Sequence, residues 1–385
     1  MRIRTQFFLF SVLQSLVIFQ YDPLLIVGHV NTHLRLELLA GVQLLVAASL
    51  VICSLVMARR FPPQQVVQIG LIFRIVATIC LLTAKAPSWF IGGFLCYQLV
   101  ALGLDTYYES SVMTWATQHQ RSFGHFRLFG SLGYATSGLY VTGLLAVTGS
   151  LRSLLWFILC VNLVLLVLSS GHSELLVVTP RGINHGRESQ MVWQSWVVLA
   201  LGTAVITLPN SFGYLLTAYL RQGFHASLLQ ATAMGSVALL LGSCVSEMFG
   251  FYIVEALIIR LGATRVISLG VGLAVCRWFI AAIATSSRLF LATYLLHGVS
   301  FAFIYVGTVS WLVKVTGRVA GELATRFVLI ANIIAIGLAR LYPIMLAKWP
   351  IHTLFWGYLG FCLMTLGTFM IVLYRAPLQP LNSDK

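Results

Sequence analysis

Residues 171–191 read GHSELLVVTPRGINHGRESQM, the one long polar interruption in a chain of 385 residues. Pro180 and Gly182 fall inside it, and both punctuate regular structure. On either side, apolar runs follow one another with only short turns between them. Six precede it, at 6–28, 37–58, 65–84, 88–112, 126–147 and 152–170. Six follow it, at 193–219, 229–258, 265–284, 289–312, 322–346 and 352–374. A helix needs about 20 mostly apolar residues to cross the hydrocarbon core of a bilayer. The runs therefore predict an all-α integral membrane protein with 12 transmembrane helices in two pseudo-symmetric six-helix bundles. The first bundle is expected over 1–170 and the second over 192–385, joined by a central cytoplasmic linker at 171–191.

Composition agrees with this reading. Hydrophobic residues make up 59% of the chain and charged residues 9%, with mean hydropathy +0.92. A soluble domain is about one quarter charged, so a soluble enzyme, a disordered chain and a coiled coil are excluded. The formal charge of +14 would suggest nucleic acid in a soluble protein. Here the basic residues are scattered over short turns, so the charge reads as a topology signal and no nucleic-acid partner is expected. Seven cysteines lie in apolar runs without a CxxC pair, which points to buried free thiols rather than a disulfide or metal site. The N-terminal MRIRTQFFLF has no small-residue cleavage site and reads as a retained first helix.

Lys and Arg concentrate on the cytoplasmic side of membrane proteins. With both ends inside, fourteen of the 24 fall on that side, among them Arg59, Arg60, Arg260 and Arg265. Six fall opposite, and Arg74, Arg127, Arg277 and Arg340 lie within spans. The expected placement is a multi-pass protein of the cell membrane with both termini cytoplasmic. Each half carries a basic turn after its second span, Ala58-Arg59-Arg60-Phe61 and 260–265, as repeat-built transporters do.

Ionisable groups inside spans are costly and mark cavities or partners. Asp22, Asp105, Glu109, Glu247, Glu255 and His297 are such groups. Glu109 and Arg127 stand eighteen residues apart on antiparallel neighbours and return to similar depth, so they are expected to meet. That meeting suits either a grip on a solute or a salt bridge at the loop edge. Glu247 lies mid-span, as a hydrogen-bonded carboxyl or the partner of Arg277. Glu255, two turns on, is near enough to the cytoplasmic end to snorkel. Asp22 precedes Pro23, where a broken helix frees backbone groups that must face protein or water. Arg74 lies deep enough to need an acid partner. Small residues in GSLGYATSGLYVTG (130–143) predict close helix approach.

The string FGHFRLFGSLGY (123–134), with Glu109 eighteen positions before Arg127, resembles the start of the fifth helix in the lactose permease family of the major facilitator superfamily. The twenty-residue spacing of Arg277 and His297 resembles that family's ninth and tenth helices. The resemblance implies Glu109, Arg127, Tyr134, Glu247, Arg277 and His297 as solute-binding residues, with Tyr134 in place of a stacking tryptophan. Departures from the family are Ser300 where a coupling carboxylate stands, Pro209, Tyr294 and Asn332 at charged positions, and Ala58 in the first basic turn. The stretch CRW…LLHGVSF is similar to the phenylpropionate permease branch, which also lacks that carboxylate.

The expected function is secondary transport of a small polar solute, a sugar or glycoside first, coupled to protons by alternating access. Proton coupling is assigned to Glu247, with His297 and with Asp22 in reserve. Coupling requires a carboxyl that holds its proton when buried and releases it when Arg277 approaches. Alternatives are a nucleoside or aromatic acid as solute, an uncoupled facilitator or effluxer, and a membrane sensor. HExxH, GxSxG and catalytically spaced aspartates are absent from the sequence, so no enzyme is expected, nor any cofactor or metal. Lipid, solute and protons are the expected partners. One chain holds both halves of a pore, so it should work as a monomer.

Overall fold

The computed structural model describes residues 2–19, 21–121, 123–150, 152–170, 193–213, 215–318, 320–346 and 348–375. The expected linker at 171–191 lies outside them. Every regular element among the described residues is a helix. Lipid offers no hydrogen bonds, so each span must satisfy its backbone internally, and a helix does so.

Numbering the spans in order gives α1 Arg2–Phe19, α2 Thr32–Val51, α3 Pro63–Thr83, α4 Pro87–Gln118, α5 Phe123–Thr148 and α6 Ser153–Ser170. The second set is α7 Trp193–Gly213, α8 (Leu228–Leu239, Leu240–Glu247 and Met248–Leu261 in succession), α9 Ala263–Ile283, α10 Ser287–Thr316, α11 Ala320–Leu346 and α12 Thr353–Arg375. Short helices Tyr21–Val27 and Leu216–Gly223 follow α1 and α7. Among the described residues, nine helices are long and apolar enough to cross a membrane by length and composition. The others, α1, α2 and α5, complete the twelve by packing along α5, α4 and α1.

Two details differ from the sequence reading. Helix α4 runs on to Gln118, past the expected stop near 112. Polar side chains at that end find partners within the helix: Thr114 Oγ1 donates to the Ser110 carbonyl and His119 Nδ1 meets the Trp115 carbonyl. A wider, π-helical turn also follows α2 at Ile52–Met57, and α8 contains another at Leu240–Glu247. Such turns leave no signature in hydrophobic periodicity and often sit at functional positions.

The two halves repeat one packing plan. Helices α3 and α9 begin at 63 and 263, and α4 and α10 at 87 and 287. Within the halves, α3–α4, α3–α6, α2–α4 and α1–α5 contacts recur as α9–α10, α9–α12, α8–α10 and α7–α11. Gly70 faces Leu104, and in the same register Gly270 faces Ile304. Between the halves, α5 meets α8 and α11 meets α2, contacts that exchange under the twofold. Two glycines permit close approach: a Cβ at Gly103 would strike the Ser49 carbonyl oxygen, and one at Gly298 the Gly242 carbonyl oxygen. Without a hydrophobic force between helices in lipid, such close packing holds the bundle.

Apolar side chains form two clusters. One draws on the first half plus Ala339 of α11, the other on the second half plus Met113 of α4. The cysteines correct an expectation. Cys53 and Cys362 are buried, but Cys80, Cys96, Cys160 and Cys276 are exposed on their helices. An apolar run in lipid has an outward face, so apolar neighbours in sequence do not imply burial within the protein.

Candidate functional site

A cavity of about 240 Å³ lies at the seam between the halves. Gln14, Gln43, Gln98 and Tyr134 face it from the first half, and Asn210, His297, Phe301 and Asn332 from the second. Five ionisable groups of opposite sign also line it: Arg74, Asp105, Glu109, Arg127 and Glu247.

Arg127 stands about one turn into α5, and α5 is pressed against α1. A Cβ on Gly130 would enter the Phe7 ring, and one on Gly133 would strike the Phe8 carbonyl oxygen. This is the close approach that the small residues of 130–143 predict. The Arg127 guanidinium reaches a carboxylate from each half. Nη1 lies 3.5 Å from Glu109 Oε2 on α4, and Nη2 lies 3.6 Å from Glu247 Oε1 on α8. Each carboxylate also accepts one hydroxyl hydrogen bond from across the seam. Tyr305 on α10 donates to Glu109 Oε1 at 3.3 Å, and Ser131 on α5 donates to Glu247 Oε1 at 2.8 Å. The rings of Phe7, Phe251 and Phe301 surround the guanidinium at 6.0, 5.7 and 5.9 Å. One cation thus serves two anions within an aromatic collar.

A second pair stands in the first half. Arg74 Nη2 on α3 donates to Asp105 Oδ1 on α4 at 2.7 Å and also bonds the Ala101 carbonyl. The Phe10 and Tyr97 rings lie 5.8 and 5.9 Å from its guanidinium. The acid that Arg74 needs is therefore Asp105, which sequence reasoning left unassigned. The spacing of Asp105 and Glu109, one turn apart on a common face, was the available signal. Ser131 and Tyr305 gave none, since hydroxyls abound in these helices.

Glu109, Arg127, Tyr134, Glu247 and His297 all line the cavity. Arg277 does not. It is 2% exposed, and its guanidinium lies over the rings of Trp278 at 4.4 Å and Tyr294 at 4.8 Å. The expected pairing of Glu247 with Arg277 is thereby corrected: among the described residues, the arginine that Glu247 meets is Arg127. The side chain of Asp22 lies outside the described part of the molecule. Glu255 does not simply snorkel, because its Oε1 accepts from the Gly124 amide at the start of α5, 3.3 Å away. No group of three His, Cys, Asp or Glu able to hold a metal ion occurs among the described residues.

A family model described as MFS_1 like matches residues 6–346. No curated protein matches the sequence. Solved structures of similar fold include the nucleoside transporter NupG, with TM-score 0.64 and 12% identity over 97% of this chain and 98% of that one. An auto-inhibited peptide transporter of the POT family gives 0.74 and 11%, over 97% and 96%. A bacterial homologue of the iron transporter ferroportin, in an outward-facing state, gives 0.65 and 19%, over 97% and 100%. At these identities the likeness is one of fold.

Proposed function

The chain belongs to the MFS_1 like family, and from that premise we propose that it is a secondary transporter which carries a small, uncharged polar solute together with a proton by alternating access. The observation that carries this reading is the sharing of Arg127 between Glu109 and Glu247, carboxylates of opposite halves. The cavity holds two guanidinium groups against three carboxyl groups. Unit charges 4 Å apart interact by about 4 kcal/mol at an effective dielectric of 20, so an unbalanced carboxylate is costly in a half-buried site. One bound proton removes the imbalance. Release of that proton frees Glu109 and Glu247 to compete for Arg127 and biases the seam toward a different arrangement of the halves.

With its charges balanced internally, the cavity favours a neutral solute read by amides and hydroxyls. Gln14, Gln43, Gln98, Asn210 and Asn332 supply donors and acceptors, and Tyr134 offers a ring face. A sugar or glycoside fits this lining. A nucleoside is the second reading, favoured by further ring faces on Phe301 and Phe327 and by the fold shared with NupG. The basic turns support an orientation in the cell membrane with both termini cytoplasmic, and bundles 1–170 and 192–385 would be the two rocking bodies. Proteoliposomes under an imposed pH gradient test the proposal with sugars and nucleosides side by side. Glu247→Gln should lose uphill uptake and keep counterflow, and Arg127→Ala should lose both. Undiminished uphill uptake by Glu247→Gln would overturn the coupling role, and the absence of any counterflow with every solute would overturn transport itself.

A further inference from the structure

Three arginines stand within the membrane-spanning core near the seam, and they are compensated very differently. Arg74 has Asp105 and Arg127 has Glu109 and Glu247. Arg277 has no carboxylate partner among the described residues. The ionisable groups that act on it are two phenols, a thiol and an imidazole, those of Tyr294, Tyr358, Cys362 and His297. At their ordinary pKa values, about 10 and 8.5, the phenols and the thiol are neutral at pH 7, and an imidazole, ordinary pKa about 6.5, is neutral or cationic and supplies no negative charge. A buried cation left without a counter-charge is strongly unfavourable. The ring faces of Trp278 and Tyr294 offset only part of that cost.

We propose that Arg277 is the cation of a second site, separate from the Arg127 cluster, which takes up one monovalent anion: a halide or the carboxylate group of an organic solute. The guanidinium lies over both rings and is hydrogen-bonded to the Tyr294 side chain, while its Nε has no hydrogen-bond partner. A planar guanidinium carries five N–H donors in its plane, and the Nε donor is the one left for a ligand. Tyr294 and His297 both line the central cavity, and Arg277 lies behind Tyr294. The ring of Tyr294 is therefore the partition that an anion would pass on its way from the cavity. A single cation surrounded by neutral groups selects single negative charge.

The test needs no transport assay, so it stands or falls apart from the transport reading. Purified full-length protein is heated in sodium chloride and in sodium benzoate over a concentration series, wild type beside Arg277→Gln. A ligand that binds the folded state raises Tm by mass action, and a concentration several times Kd should give a saturable rise of about 2–4 °C. The rise is expected in wild type and not in Arg277→Gln. Response to chloride identifies an inorganic halide, and response confined to benzoate identifies a carboxylate. Equal responses in the two proteins, or no saturable rise with either salt, overturns the proposal. Should Arg277→Gln fail to fold, tryptophan fluorescence decides. Titration with sodium iodide or benzoate should give a saturable change in wild type that Trp278→Phe lacks. Equal changes in both proteins overturn the proposal.

Discussion

Arg74 on α3 and Arg277 on α9 occupy corresponding helices of the two halves, and each lies against a tyrosine of the next helix, Tyr97 or Tyr294. Both are fully buried. Both lie against aromatic rings, but the first is neutralised by Asp105 and the second has no carboxylate partner among the described residues. The twofold repeat therefore copies helix packing and does not copy charge. Packing is a property of backbone register and small residues, while charge balance depends on single side chains. The asymmetry is where the two bundles can acquire separate tasks.

The sharpest way to break this comparison is to give the first half the second half's condition. Asp105→Ala leaves Arg74 buried and unpaired, a change that costs about 3–5 kcal/mol where measured in other proteins. Thermal unfolding in detergent should show the largest loss of any single substitution discussed here. The double change Arg74→Met with Asp105→Leu should recover most of it, since a buried ion pair replaced by packed apolar groups is often neutral or stabilising. A double variant as unstable as Asp105→Ala would mean that the pair has no apolar substitute.

The shared packing plan is probed at the next level of effect. Gly103→Ala and Gly298→Ala each push a methyl group into a backbone carbonyl of the facing helix. Overpacking of this kind costs roughly 1–3 kcal/mol, and the two variants should lose similar stability. Gly272→Ala meets no atom within 4 Å and should leave Tm unchanged. A large difference between Gly103→Ala and Gly298→Ala would show that the repeat is geometric only and that one seam is stiffer than the other.

The smallest effect concerns the link between halves at the start of α5. Glu255→Gln removes a negative charge beside the first amides of that helix, where a carboxylate contributes about 0.3–1 kcal/mol. The expected drop in Tm is correspondingly slight and should shrink with added salt. A drop as large as that of Asp105→Ala would promote Glu255 to a main tie across the seam.

Much of this architecture was legible in the residues because lipid imposes a simple rule: a run of about 20 apolar residues becomes a helix. The Glu109–Arg127 contact was legible as well, since a short turn fixes the relative depth of two antiparallel neighbours. Depth alone does not fix azimuth. Each residue along a helix turns the side chain by about 100°, so Glu247 and Arg277, both mid-span on successive helices, need not face each other. Helix α9 packs on α10 and α12, which turns Arg277 toward Trp278 and Tyr294 and leaves Glu247 to Arg127. The π-helical turn ending at Glu247 changes the azimuth of everything after it, a rotation that hydrophobic periodicity does not record.

The outward cysteines carry a practical consequence. Cys80, Cys96 and Cys160 belong to the first bundle and Cys276 to the second, on α3, α4, α6 and α9 respectively. Native sulfurs on both bodies form a built-in molecular ruler. With two of the three outward sulfurs of the first bundle silenced by serine, spin labels on the third and on Cys276 would report whether one body swings against the other, without any engineered thiol.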